Sequence, residues 1–178
     1  MSNSMVAKRY ALALFQIAKE TQALGVIEED LRAVREVVGY HPEFKAVLKS
    51  SKLSADKKKE ILKQAFASVN VYVLNTLLIL IDRHREDEVA DVANEFIELA
   101  NEAMGIAEAE VHSYRALTEE ERAALSSVFA AKIGKKSLKI ENIVDSSLLG
   151  GLRLRIGNRI YDGSLSGKLS RLERKLLS

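Results

Sequence analysis

Few residues of this chain could do chemistry, and their spacing argues against an active site. His41, His84 and His112 lie far apart, and none falls in a ligand-spaced metal motif. No Gly-x-Ser-x-Gly elbow surrounds a serine, so the strained turn that exposes a hydrolase nucleophile is missing. The run Glu119-Glu120-Glu121 reads as the acidic first turn of a helix, where carboxylates meet the positive end of the dipole. Leu148-Leu149-Gly150-Gly151-Leu152-Arg153-Leu154-Arg155-Ile156-Gly157 combines glycine with arginine as anion loops do. It lacks the Gly-Lys-Ser/Thr ending, and its glycines precede a strand instead of opening a helix. A turn entering a hairpin is the better reading, with Gly150 and Gly151 supplying backbone angles closed to other residues. Cysteine is absent, which removes disulfides and thiolate metal sites and makes a reducing compartment the natural expectation. No catalytic, metal or cofactor-binding residue is expected.

What remains is binding. The net charge of +2 hides an asymmetry: from Lys132 to Ser178 there are eleven Lys and Arg against four Asp and Glu, a local +7, leaving −5 for the preceding residues. A basic C-terminal part fits nucleic acid or an acidic protein partner. Lys132, Lys135, Lys136, Lys139, Arg153, Arg155 and Arg159 could contact phosphates. The same stretch holds a single aromatic residue, Tyr161, so platforms for stacking bases are missing. An acidic helical protein is therefore the expected partner, with a basic nucleic-acid-binding protein as the alternative.

These residues must be positioned by helices in the first part and by a mixed unit in the second. The expected fold is mainly α, a six-helix N-terminal bundle over residues 1–105 and a small α/β domain over residues 106–178. Val6, Tyr10, Leu14, Ile17 and Ala18 share one face of the first helix, with Ala7, Ala11 and Ala13 beside them and Gly25 as its stop. Ile27, Leu31, Val34 and Val38 line a second helix ending at Gly39, and Pro42 opens a third. Ser54 is an N-cap for a fourth. Val71 to Ile81 is apolar nearly all round, as in a central helix, and at 11 residues it falls well short of the ~20 that span a bilayer. A sixth helix runs from about Glu86 to Ala103. The N-terminus shows no charged segment followed by an apolar core, so no secretory signal is expected. Past Gly105 the period changes to strands at Ala107–Ser113, Leu138–Val144 and Leu152–Ile156, with a Thr118-x-x-Glu121 capping box starting a helix between the first two. Gly157-Asn158 suits a tight hairpin turn. Leu165, Leu169, Leu172 and Leu176 share a final helical face. The first and fifth helices, and this last one, carry more apolar residues than one buried stripe consumes, so a partner helix could cover the excess.

The order of features resembles the delta subunit of the F-type ATP synthase, the family that includes the mitochondrial oligomycin-sensitivity-conferring protein. The resemblance spans essentially the whole chain. It rests on Ala7-Lys8-Arg9-Tyr10-Ala11-Leu12-Ala13-Leu14-Phe15, on Lys57 to Leu62, on Asn75 to Arg85, and above all on Ile140-Glu141-Asn142-Ile143-Val144-Asp145-Ser146-Ser147-Leu148-Leu149-Gly150-Gly151 continuing to Asp162-Gly163-Ser164-Leu165. It implies a non-catalytic subunit without cofactor, a monomer within a hetero-oligomeric complex, peripheral at the cytoplasmic face of a bacterial membrane without inserting into it. It also implies a stator role. The N-terminal bundle would receive N-terminal helices of alpha subunits through Tyr10, Ala13, Leu14 and Ile79. The C-terminal domain would hold the b-subunit stalk through Gly150, Gly151, Arg153, Arg155, Leu165 and Leu169. One departure stands out: many relatives have Asn-Gly-Arg after the fifth helix, where this chain has Arg83-His84-Arg85, so a changed turn is expected there.

Overall fold

A computed structural model describes residues 5–50 and 53–169. The chain divides into two compact units, Met1–Ala100 and Asn101–Ser178.

The first unit holds α1 (Met5–Glu20), α2 (Leu24–Tyr40), α3 (Pro42–Lys49), α4 (Ala55–Ala65), α5 (Val71–Asp82) and most of α6 (Val89–Met104), with a 3-10 turn at Glu86–Glu88. Ala7, Ala11, Leu14 and Ala18 form the buried stripe of α1. Their 4-3-4 spacing places them on one face, and three alanines let neighbouring helices come close. Ile27, Leu31, Val34 and Val38 on α2, and Val89, Val92, Ala93, Phe96, Ile97 and Ala100 on α6, are buried as their periodicity predicts. Phe15 meets Phe96 edge-on at 6.1 Å. Ser54 caps α4 by accepting from the Lys57 N–H, and Pro42 opens α3. Lys58 is buried against Glu86 at 2.8 Å. Burial pushes the Glu86 carboxyl up, but the hydrogen bond and charge of Lys58 outweigh it and hold the group below its ordinary value.

Two helix ends differ from expectation. Gly25 does not stop α1: it lies inside α2, and the chain reverses at Gln22, which takes φ 55°. There Ala23 N–H donates to Ala18 O at 3.0 Å and Gln22 N–H to Lys19 O at 3.3 Å, the paired bonds that close a helix around one left-handed residue. His84 does the same after α5, at φ 52°, with Arg85 N–H on Leu80 O at 2.9 Å and His84 N–H on Ile81 O at 3.0 Å. The Arg83-His84-Arg85 departure thus leaves a left-handed turn at the middle residue.

In the second unit, β1 (Ile106–Ser113), α7 (Glu119–Ile133), β2 (Ser137–Val144), β3 (Leu152–Ile156) and β4 (Arg159–Asp162) form a four-stranded sheet in the order β2-β1-β3-β4. β1 and β2 are parallel, with α7 as the crossover, and the other pairs are antiparallel. Ala109, Val111, Ala130, Leu138, Leu154 and Ile156 make the core. The Thr118–Glu121 capping box is formed in both directions. Arg115 reinforces it as a fork on the same carboxylate, at 2.9 and 2.7 Å. The hairpin turns through Gly157 at φ 55°, with Ile156 paired to Arg159. Positive φ at the first central position alone is the type II′ pattern.

The two halves of the C-terminal sequence motif meet at a corner. Gly163 N–H donates to Leu152 O and Leu165 N–H to Gly150 O, both at 3.0 Å. A Cβ on Gly151 would sit 2.5 Å from Gly163 O. Ser164, fully buried, donates its hydroxyl to Asp162 Oδ1 at 2.6 Å and accepts from Gly167 N–H at 3.1 Å, capping the helical turn at residues 165–169. Leu172 and Leu176 lie outside the described residues.

Three outcomes follow. In chemical denaturation Gly157→Ala, which meets open space, costs about 1–2 kcal/mol for its left-handed φ, whereas Gly151→Ala costs clearly more because backbone stands in the way. His84→Gly stabilises the first unit by about 0.5–1 kcal/mol, relief of left-handed strain less the flexibility that glycine adds. Arg115 and the Thr118 N–H hold the Glu121 carboxyl down at about 2, from 4.5. Because the folded value is the lower one, the box stabilises above the unfolded-chain pKa and this contribution is lost as pH falls toward 2. An NMR carboxyl titration should place the Glu121 midpoint there in the native protein and nearer the ordinary range in Arg115→Ala.

Candidate functional site

The residues expected to meet the catalytic head lie on α1 and α5, which pack against one another. On α1, Val6, Tyr10, Ala13 and Ile17 form a second stripe one residue behind the buried one, half-buried at Val6 and Tyr10 and exposed at Ala13 and Ile17. One residue is about 100° of helix, so this stripe lies on the flank opposite Phe15, the side that meets α6. Leu14 is a correction to the expected set. It is only 2% exposed and supports the helix from within the core instead of presenting surface.

The fifth helix also differs from the central helix its composition suggests. Val73, Leu77, Leu80 and Ile81 are buried, but Val71, Tyr72 and Ile79 are exposed, Val71 at 58% and Ile79 at 47%. Tyr72, Asn75, Ile79 and Asp82 are all exposed, and their 3-4-3 spacing sets them on one face. Two packed helices therefore each bury one stripe and leave a second partly uncovered, apolar on α1 and mixed on α5, where Tyr72 and Ile79 alternate with Asn75 and Asp82. Tyr10, Ala13 and Ile79 all belong to these second stripes.

In the C-terminal unit the expected residues separate into distinct places. The register puts Glu110 opposite Arg155, His112 opposite Arg153, and Arg153 opposite Asp162. All of them point away from the Val111–Leu154–Ile156 face that packs under α7, because side chains alternate along a strand. Arg153 lies 3.7 Å from Asp162 and Arg155 3.7 Å from Glu110, while His112 Nε2 is 2.6 Å from Glu110 Oε1. The open face of the sheet is thus a charged lattice with its own counter-ions. Lys132 is in the last turn of α7, over the Phe129 ring at 4.9 Å, and Lys135 follows the Gly134 cap of that helix. Arginines on the open face and lysines at a helix end do not make one phosphate track of the kind nucleic acid needs. Gly150 and Gly151 build the corner, and Leu165 and Leu169 leave it exposed.

The histidines occupy structural positions. His41 sits between α2 and α3, His84 closes α5, and His112 belongs to the charged lattice. Among the described residues no group of three or more His, Cys, Asp or Glu is placed to hold a metal ion, and no helix is long and apolar enough to cross a membrane.

Sequence reasoning missed an apolar cleft of about 320 Å³ beside α7, lined by Leu117, Ala124, Leu125, Val128, Phe129 and Leu152. Asn142 fixes its rim: its amide donates to Val111 O at 2.9 Å and Ser113 Oγ at 2.7 Å and accepts from Leu117 N–H at 2.8 Å. The available signal was the run Ala123 to Ala131, which carries no charge.

Comparison with known proteins agrees with this architecture. The sequence profile of the family described as ATP synthase delta (OSCP) subunit matches residues 6–176. A protein of Geobacillus sp. (strain WCH70) named ATP synthase subunit delta is 56% identical over 177 residues, covering 99% of each chain. One of the same name from Anoxybacillus flavithermus (strain DSM 21510 / WK1) is 51% identical over 176 residues, covering 99% of each. A chain of the Toxoplasma gondii mitochondrial ATP synthase hexamer shares the fold at a TM-score of 0.69 and 22% identity, covering 98% of this chain and 99% of its own. A chain whose first unit has partly uncovered apolar helices and whose second is a glycine-cornered mixed sheet, matched in sequence over nearly its whole length, belongs to the ATP synthase delta (OSCP) subunit family.

Proposed function

We propose that this chain is a stator subunit of a proton-translocating F-type ATP synthase, holding the catalytic head against the peripheral stalk so that rotor torque drives ATP synthesis. The observation that carries this reading is the pair of partly uncovered second stripes on α1 and α5, with Tyr10 half-buried and Ala13, Ile17, Tyr72 and Ile79 exposed. Such stripes fit an amphipathic helix laid along them, the form expected of an alpha-subunit N-terminal segment. The C-terminal unit, with its exposed leucines and a net charge of +3 over Asn101–Ser178, suits an acidic helical b-subunit stalk. A stator must resist torque without slipping, and two separate interfaces of different character do this better than one small patch. The subunit does no catalysis itself and sits peripherally at the cytoplasmic face of a bacterial membrane, as part of the complex.

Ala13→Asp and Ile79→Asp each set a charge in the proposed contact without entering the core. Burying that charge unpaired is costly. Each variant is expected to bind purified catalytic head at least tenfold more weakly by calorimetry, about 1.4 kcal/mol, with its melting temperature within a few degrees of the parent. Affinity unchanged in both variants refutes the helix-docking assignment.

A further inference from the structure

The two edges of the C-terminal sheet differ in how much open strand they present. β4, at one edge, is only 4 residues long. β2, at the other, runs for 8 residues without proline or glycine, and among the described residues it pairs with β1 alone. Its end is apolar and uncovered, with Ile143 37% and Val144 56% exposed. A long, regular edge strand is a template for pairing with another chain, and proteins block such edges by specific devices.

One side chain closes part of this edge. Ser126, in the middle of α7, accepts a hydrogen bond from the Leu138 N–H at 2.8 Å and donates its hydroxyl to the Leu138 carbonyl at 3.2 Å. A serine inside a helix ordinarily bonds back to the preceding turn, as Ser127 does to Ala124 O at 2.9 Å. Ser126 reaches across to the sheet instead. Backbone groups along a strand face its two sides by turns. The Asp145 N–H faces β1, donating to Ser113 O at 2.8 Å, so Leu138, Ile140, Asn142 and Val144 turn theirs to the open side. Ser126 therefore occupies the first outward position.

The charges of β2 say what the edge fits. Two copies related by a two-fold axis present the same strand to each other, antiparallel, and residues that face across must both turn outward or both inward. Two such registers overlap nearly all of β2. One, centred on Glu141, sets that carboxylate against its own copy, and like charges directly opposite are destabilising. The other, centred on Ile140, sets Lys139 opposite Glu141 of the second copy in both directions. It also brings Leu138 opposite Asn142, so its outer hydrogen bonds need the two Leu138 groups that Ser126 holds. We propose that Ser126 is an edge guard: its hydroxyl keeps β2 from pairing with β2 of a second copy of this chain in the register centred on Ile140. This role holds whether or not the C-terminal unit binds a stalk.

Sedimentation velocity on full-length chains over a concentration series tests this. Ser126→Ala is expected to dimerise about tenfold or more tightly than the parent, whereas Ser126→Thr, which keeps a hydroxyl, behaves as the parent does. In the Ser126→Ala background Lys139→Glu faces carboxylate with carboxylate twice across the two-fold, and is expected to weaken the dimer about tenfold. Adding Glu141→Lys restores it. Both of these chains carry the same change at Lys139, so lost local stability does not imitate the pattern. Amide hydrogen exchange gives a second readout: in Ser126→Ala the Ile140 amide gains protection as protein concentration rises, while simple loss of a hydrogen bond exposes Leu138 equally at every concentration. The proposal is overturned if Ser126→Ala associates no more than the parent, if Ser126→Thr associates as readily as Ser126→Ala, or if Lys139→Glu leaves the association unchanged.

Discussion

Small residues set how closely the backbone elements of this protein approach one another, and both units are arranged around that constraint. In the helical unit Ala7, Ala11 and Ala18 have no exposed surface, so α1 lies close to its neighbours with little side chain between. At the C-terminal corner the approach is tighter still, with Gly151 facing the backbone of Gly163 and Ser164. The consequence differs between the two. Close packing of α1 consumes a narrow stripe and leaves its flank free. The glycine corner joins the entry to β3 with the exit from β4, and so fixes where the last helical turn begins.

The residues that carry the family resemblance acquire structural reasons. Lys58, itself buried, holds the Glu86 carboxylate, Leu62 is in the core, and Asp162 and Ser164 cap the turn that follows the sheet. Gly134 closes α7 with the same paired bonds that Gln22 and His84 make at the ends of α1 and α5. These positions specify the fold, and the binding surfaces lie beside them.

Those surfaces differ in what they offer a partner. The second stripe of α1 is apolar and that of α5 contributes Tyr72 and Ile79, so desolvating these positions is favourable. The open face of the sheet is charged but internally neutralised by Glu110 and Asp162, and a partner there must displace existing ion pairs. Counting cations along the chain overstates the basic character available at that face, because half of the relevant carboxylates come from a strand that is distant in sequence. Short-range periodicity was enough for α2, α6, the capping box and the hairpin, whose signals are complete within a dozen residues. It was insufficient for the ends of α1 and α5, where a glutamine and a histidine take a conformation that composition assigns to glycine.

By itself the sequence determined the division into a helical part and a mixed part, the buried faces of most helices, the Gly157 turn and the family, because each rests on local spacing or on residues whose backbone preferences are intrinsic. Tertiary structure decided the rest. Burial depends on which neighbour covers a face, so only the packed fold could put Leu14 inside and Ile79 outside two stripes that look equally apolar in sequence. Only strand register could set Arg153 and Arg155 against Asp162 and Glu110. Only the meeting of α7 with β3 could open an apolar cleft at Leu152, for its walls come from segments more than twenty residues apart.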